Sequence, residues 1–132
     1  MKRIATFTIL CAAMALATPA AARYGFQTVA LTNQKFEVIP RGRTDIDGYW
    51  CAASDFARRT LGAGWQQQIY VARGYGPSEA TGRRTAVQFS LSDADLTAPV
   101  QQSSFSSGFR VGESMSVQRA NARCDLNILV RP

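Results

Sequence analysis

The sequence predicts an α+β fold in which one amphipathic helix packs on an antiparallel sheet of about four to six strands. Two observations predict it. Residues 46–61 place their apolar side chains at the i, i+3, i+4 and i+7 spacing of a helix. The other apolar stretches alternate with polar residues, as antiparallel strands with one face in water do, and turn-forming residues separate them.

Two short strands are predicted before the helix. Residues 28–31 and 36–39 have the composition of strands, and the polar residues 32–35 between them have the composition of a turn. The two stretches therefore predict a hairpin, which Pro40 ends or places at the edge of the sheet.

The helix is predicted from apolar positions that form one continuous arc: Ile46, Tyr49, Trp50, Ala53, Phe56, Ala57 and Leu61. Asp47 is the expected N-cap, and Gly62 is the expected stop. Arg58 and Arg59 fall in the last turn, where positive charge suits the helix dipole. Asp55 stands four residues before Arg59, so the two side chains are expected to form an ion pair.

After the helix the apolar pattern has the two-residue period of strands, in residues 69–72, 87–91, 111–117 and 126–130. The predicted connections are residues 73–78, 81–82 and the serine-rich 101–108. Tyr75 lies between two glycines, so we expect it to be exposed in a loop. Trp65 is expected to close the core between the helix and the next strand.

The first 22 residues have the three parts of a cleavable signal peptide. Lys2 and Arg3 are positively charged, residues 4–17 are apolar and uncharged, and three alanines precede Arg23. A membrane anchor is the alternative, but the apolar stretch is shorter than the about 20 residues that a span needs. The sequence therefore predicts a single mature domain, residues 23–132, that is periplasmic or secreted. Its basic residues are nearly all arginine, which is typical of a GC-rich bacterial genome.

Cleavage leaves two cysteines, Cys51 and Cys124, in an oxidising compartment. We expect them to form a disulfide. The alternative makes Cys51 a nucleophile at the start of the helix, which would need a partnering base, usually histidine. The chain has no histidine. A disulfide is therefore the favoured interpretation.

The absence of histidine also narrows the chemistry open to this chain. It excludes Ser-His-Asp and Cys-His catalysis and the metal sites that depend on imidazole. A pair of carboxylates, as in glycosidases, is the catalytic scheme that remains open. The candidates are Glu37, Glu79 and Glu113, and Glu113 has the parity of an inward-facing residue that pairs with an arginine. Nothing in their spacing brings two of them together, so no catalytic residue and no cofactor are predicted.

Two Asp-x-Asp pairs could hold a hard cation, because alternate residues of a strand share a face. They are Asp45 with Asp47, and Asp93 with Asp95. The favoured interpretation gives Asp47 to the helix cap and places the second pair in a turn just past a strand. No metal site is predicted.

Two clusters of basic residues indicate which kind of partner the chain binds. Arg41 with Arg43 and Arg83 with Arg84 are the two clusters, and loss of Lys2 and Arg3 lowers the net charge from +6 to about +4. Arginine pairs well with carboxylates and phosphates. The alternative is that these charges only keep the surface soluble. Nucleic acid is not expected, because the protein is exported and has no nucleic-acid-binding motif.

The function predicted from these features is a non-enzymatic binding or accessory module outside the cytoplasm. Its expected partner is an acidic protein or an anionic envelope component, contacted by Tyr75, Arg83 and Arg84. The alternatives are a small carboxylate-dependent hydrolase and an inhibitor of an envelope enzyme, whose inserted loop would be residues 73–84.

Overall fold

The computed structural model describes residues 21–23, 25–42, 44–97 and 108–125. The strands within them are β1 (Ala21–Arg23), β2 (Phe26–Ala30), β3 (Lys35–Pro40), β4 (Gln68–Gly76), β5 (Ala86–Ser90) and β6 (Ser114–Ser116). The helices are α1 (Ile46–Arg59), α2 (Val117–Ala122) and a 3₁₀ turn at Asp93–Asp95. The strands form one antiparallel sheet in the order β1-β2-β3-β5-β4-β6. The predicted α+β fold is confirmed.

The predicted strands on either side of α1 are present, with longer bounds. The hairpin is formed by β2 and β3, and Pro40 is the last residue of β3, paired with Phe26. Residues 69–72 and 87–91 fall in β4 and β5, apart from residue 91. The predicted hairpin is therefore present, and β1, which was not predicted and includes the last two residues of the predicted signal peptide, pairs with β2 at the edge of the sheet.

Strand β4 continues through the residues predicted to turn. It runs to Gly76, and its register against β5 shifts between Val71 and Arg73 and again between Arg73 and Gly76. A Cβ at Gly74 would lie 2.7 Å from the carbonyl oxygen of Phe109. The glycines therefore serve a bulged strand with a close backbone neighbour, and the predicted turn over 73–78 is wrong for residues 73–76.

The predicted N-cap of α1 is wrong by two residues. The helix begins at Ile46, and the carboxylate of Asp45 accepts a hydrogen bond from the Gly48 backbone N–H at 2.9 Å. Asp47 lies in the first turn, where its Oδ1 accepts from Arg123 at 2.8 Å. The cap position precedes the first helical residue, so Asp45 is the carboxylate that reaches the free N–H groups.

The end of α1 follows the prediction. The last helical residue is Arg59, which pairs with Asp55 at 2.7 Å. Gly62 has a φ of +70°, a conformation that glycine adopts without strain, and the chain turns there. The predicted ion pair and the predicted stop are both confirmed.

The apolar arc of α1 packs on the sheet. Its central members are buried: Tyr49, Trp50, Ala53, Phe56 and Ala57. Trp50 meets Phe89 of β5 edge-on, with 5.0 Å between the ring centroids. Ile46 departs from the prediction and is 41% exposed, because it stands at the very start of the helix. The helix thus buries the middle of the predicted arc.

The far face of the sheet does not all lie in water. The central strands β3 and β5 are buried on both faces, and the far-face residues Glu37, Ile39, Gln88 and Ser90 are each at most 1% exposed. The chain after β4 folds onto this face, where Ser78 meets Glu37. The prediction of a solvated face is therefore wrong for these two strands.

The C-terminal part holds a short helix that the pattern did not predict, and it overlaps the predicted strand over 111–117 only at Val117. Only Ser114–Ser116 pairs with β4, and α2 begins at Val117 because the Ser116 side chain caps it, accepting from the Arg119 backbone N–H at 3.2 Å. The two helices pack together, and the predicted disulfide between Cys51 and Cys124 is confirmed, with a Cα–Cα distance of 4.8 Å.

Three predicted segments fall largely outside the described residues. They are the strand at 126–130, residues 101–107 of the serine-rich connection and residues 1–20 of the signal peptide. Among the described residues, no helix has the length and apolar character of a membrane span.

Candidate functional site

Residues 77–85, which we call the basic loop, connect β4 to β5 and carry the Arg83–Arg84 pair. The loop closes on itself through backbone hydrogen bonds from Ser78 N–H to the Arg83 carbonyl (2.8 Å) and from Gly82 N–H to the Ser78 carbonyl (2.9 Å). Gly82 has a φ of +71°, which permits this tight return. The backbone of the loop is therefore ordered by its own hydrogen bonds.

A buried carboxylate anchors the basic loop to the sheet. Glu37 of β3 is completely buried. Its Oε1 accepts from the Ser78 hydroxyl and from Ala80 N–H, and its Oε2 accepts from Glu79 N–H, each at 3.1 Å. Three donors from consecutive residues thus converge on one ionisable group. A buried charge is tolerated when it is hydrogen-bonded in this way.

Arg73 of β4 supplies the opposite charge and fastens both ends of the loop. Its guanidinium lies 3.8 Å from Oε2 of Glu37. The same side chain donates to the carbonyl of Pro77 at 2.8 Å and to the carbonyl of Ala86 at 3.3 Å. The basic loop is therefore held at its start, at its centre and just past its end.

The last residue of the basic loop has a strained backbone. Thr85 has a φ of +67°, which a β-branched residue adopts only at a cost in free energy. Its carbonyl oxygen accepts a hydrogen bond from the Tyr49 hydroxyl at 2.7 Å. Burial raises the pKa of Tyr49 to about 12. The core of the protein thus holds this strained residue in place.

A groove of about 330 Å³ lies beside the basic loop, lined by Tyr75, Gly76, Pro77, Arg84 and Thr85. We call it the Tyr75 groove. Tyr75 is half-buried, so the prediction of a freely exposed loop tyrosine is wrong. The reason is that β4 carries its ring against the core, edge-on to Phe109 with 5.1 Å between centroids. Burial also raises the pKa of Tyr75.

The structure brings together two of the three predicted partner-binding residues. Tyr75 and Arg84 line the same groove. Arg83 is exposed on the neighbouring surface, where its guanidinium donates to the carbonyl of Pro40 at 3.3 Å. Arg41 is also exposed, and Arg43 lies outside the described residues. The Tyr75 groove therefore has an aromatic wall, a cation at its rim and a second cation nearby.

The three candidate catalytic carboxylates have different surroundings. Glu37 is occupied by the basic loop, and Glu79 is exposed. Glu113 is half-buried and accepts from the Arg110 backbone N–H at 3.4 Å. The buried carboxylate with an arginine partner is thus Glu37 and not Glu113. Glu37 alternates with Phe36 and Val38 as an outward-facing strand residue would, so no signal in the sequence separated it from a solvated glutamate.

The Asp-x-Asp pairs serve structural roles. Asp45 caps α1, and Asp47 pairs with Arg123. Asp93 and Asp95 lie in the predicted turn past β5, and Asp95 accepts from the Ser90 hydroxyl at 2.6 Å. Across the described ranges, no group of three or more metal-ligating side chains is found.

A second groove was not predicted. It has a volume of about 490 Å³ and is lined by Trp65, Gln66, Gln118, Asn121, Ala122 and Asp125; we call it the Trp65 groove. Trp65 is 47% exposed, so its predicted role in closing the core is wrong. The indole instead lies beneath the Arg58 guanidinium, 4.2 Å from its carbon to the ring centroid. Four of its six lining residues come from α2 and the residues after it, a helix that the sequence pattern did not predict.

Comparison with known proteins leaves the site without a precedent. No protein-family model matches the chain, and neither the curated proteins nor the solved structures gave a match. The geometry of the two grooves therefore carries the functional argument.

Proposed function

We propose that this chain is a non-enzymatic binding module, exported from the cytoplasm, that grips an acidic protein or an anionic envelope component with its basic loop. The observation that carries this proposal is the anchoring of the loop by the buried Glu37. Three hydrogen bonds to Glu37, together with the contacts of Arg73, fix a loop that carries the exposed Arg83 and Arg84. The disulfide supports a location outside the cytoplasm, because disulfides persist in oxidising compartments.

Rigidity is what favours binding over a mere solubilising role. A loop that is already ordered loses little conformational entropy when a partner docks, so more of the contact energy appears as affinity. Arginines that only keep a surface soluble have no need of a buried ionic anchor beneath them. One surface loop is held by Glu37, Arg73 and Ser78, and the best explanation is that this loop contacts a partner.

The groove also indicates what the partner presents. Tyr75 and Pro77 offer apolar surface, and Arg84, whose guanidinium is able to pair bidentately with an anion, belongs to the same lining. A carboxylate or phosphate beside an apolar group matches both features. The positive charge of the surrounding surface would increase the association rate with such a partner.

The surroundings of the carboxylates do not favour the hydrolase alternative. Both oxygens of Glu37 accept hydrogen bonds from the loop, so this group has a structural role. Glu79 is exposed, and Glu113 accepts a hydrogen bond from a backbone N–H. A carboxylate pair around one cleft is the feature that glycosidase chemistry would require.

The test compares two double variants of equal charge. Arg83→Ala with Arg84→Ala removes the basic loop's cations, and Arg59→Ala with Arg119→Ala removes two exposed arginines elsewhere. The probes are an aspartate-rich peptide containing tyrosine and vesicles of phosphatidylglycerol, titrated at low and at physiological salt. The first variant should bind the responding probe at least about tenfold more weakly at low salt, with its melting temperature unchanged. Equal weakening in both variants would reduce the effect to net charge and contradict the proposal.

A further inference from the structure

The Trp65 groove is a second site, separate in its residues from the basic loop. Trp65 and Gln66 come from the segment after α1, and Gln118, Asn121 and Asp125 come from α2 and the residues that follow it. Its volume of about 490 Å³ lies in the range of small-molecule sites. Cys124 precedes Asp125 and is bonded to Cys51, so the disulfide fixes the α2 side of the groove to α1.

The exposed tryptophan is held in position. Its backbone carbonyl accepts from Gln118 N–H at 3.0 Å. Arg58 lies against the ring and donates to Oδ1 of Asn121 at 3.2 Å, so a single side chain braces both walls. Arg58 does not line the groove, so the groove is reached from the part of the indole that Arg58 leaves open. A fixed tryptophan that is 47% exposed is an apolar surface offered to solvent.

The polar lining indicates the class of ligand. The polar side chains that line the groove together with Trp65 are the carboxamides of Gln66, Gln118 and Asn121 and the carboxylate of Asp125. Arg58 stacks on the indole but is not among the lining residues. Carboxamides both donate and accept, which suits hydroxyl groups, and the carboxylate accepts from hydroxyls but repels anions. Nε2 of Gln66 donates to Oε1 of Gln118 at 3.4 Å, so the two carboxamides are held side by side in the lining. The lining is too polar for a purely apolar ligand.

We propose that the Trp65 groove binds a neutral saccharide. A pyranose ring has an apolar C–H face that stacks on an indole and a rim of hydroxyls that bind carboxamides and a carboxylate. The proposal goes beyond the basic loop's anionic partner and does not depend on it, because the two sites share no residue.

The test uses the intrinsic fluorescence of the protein. The chain has two tryptophans, and Trp50 is buried, so acrylamide quenching reports chiefly on Trp65. The probes are oligosaccharides of β-1,4-linked glucose, β-1,4-linked N-acetylglucosamine, β-1,4-linked xylose and α-1,4-linked glucose. At least one should protect Trp65 from quenching, with a dissociation constant of about 1 mM or below.

Three variants separate this proposal from alternatives. Gln118→Ala should weaken the protection at least about fivefold, and Trp65→Ala should abolish binding measured by calorimetry. Arg83→Ala with Arg84→Ala should change nothing, so a failure of either proposal can be told apart from a failure of the other. Lack of protection by every oligosaccharide would overturn the saccharide assignment. The assignment would also be overturned if quenching of Trp65 fell as the protein concentration was raised without any oligosaccharide, because a second copy of the chain would then occupy the groove.

Discussion

Glu37 is a single residue whose burial organises a nine-residue surface loop. Its carboxylate accepts from three consecutive residues of the basic loop and faces the guanidinium of Arg73. Removing one partner of such a buried ionic group leaves the other uncompensated, which is costly. The stability of the molecule and the order of its proposed binding surface therefore depend on the same side chain.

Glu37→Gln should destabilise the protein by about 3 kcal/mol, because the amide cannot accept at both of its ends. Urea unfolding measures the loss, and hydrogen exchange should show reduced protection at the amides of Glu79 and Ala80. Glu79→Gln, at an exposed position, is the matched control and should change stability by less than about 0.5 kcal/mol. An unchanged unfolding free energy for Glu37→Gln would mean that the carboxylate is not an anchor.

Tyr49 predicts how stability changes at alkaline pH. Burial raises its pKa to about 12 from the usual 10.0, so the folded state disfavours the phenolate. The resulting stability is fully present below pH 10 and is lost as the pH rises toward 12. At pH 11 the loss from this group should be about 1 kcal/mol. The unfolding free energy, measured with urea from pH 8 to 11, should therefore fall less steeply for Tyr49→Phe than for the parent protein. Parallel falls of the unfolding free energy in the two proteins would contradict this role of Tyr49.

At the scale of elements, the contact of α1 with β2 depends on a glycine. A Cβ at Gly48 would lie 2.5 Å from Cε2 of Phe26. Alanine normally stabilises a helix relative to glycine by about 1 kcal/mol. Here the overlap should reverse the sign, and Gly48→Ala should cost about 2 kcal/mol net.

Gly64→Ala is the control for that variant. Gly64 is exposed, and a Cβ there would meet nothing within 4 Å. Its unfolding free energy should stay within about 0.5 kcal/mol of the parent. A stabilised Gly48→Ala protein would show that the helix can move away from Phe26 freely.

The elements also show where sequence patterns succeed. The amphipathic arc of α1 and the alternation of β2, β3 and β5 were predictable, because burial imposes a period that the sequence must carry. The cap at Asp45 was missed because two aspartates compete at the helix start and only the backbone decides which one is at the cap. Helix α2 was missed because Val117 continues the strand period of Met115 while Ser116 starts a helix.

The site was less predictable than the fold for a physical reason. Tyr75 was predicted as an exposed residue of the same loop as Arg84, but the sequence carries no signal for the bulged end of β4 that half-buries its ring. Trp65 looks like a core residue in composition, yet it lies where α1 has already ended and the sheet has not begun. The burial of such residues depends on tertiary contacts, which the local periodicity of the sequence does not report.

For the whole molecule, the disulfide is expected to be a main source of stability. Cys51 and Cys124 are separated by 73 residues. On the chain-entropy model, a loop of this length stabilises the fold by roughly 4 kcal/mol. The variant Cys51→Ala with Cys124→Ala should lose about that amount relative to the oxidised parent, measured by urea unfolding without reductant. Equal unfolding midpoints would contradict this role.

The central claim, that the basic loop is a contact surface for an acidic partner, is tested most directly in cells. A photo-crosslinking amino acid placed at Thr81, at the tip of the loop, is compared with one at Gln34, in the exposed turn between β2 and β3. The account predicts one dominant adduct from position 81, identified by mass spectrometry as an acidic protein or an anionic envelope component, and its loss when Arg83 and Arg84 are both alanine. The same adducts from both positions, unaffected by that double substitution, would contradict it.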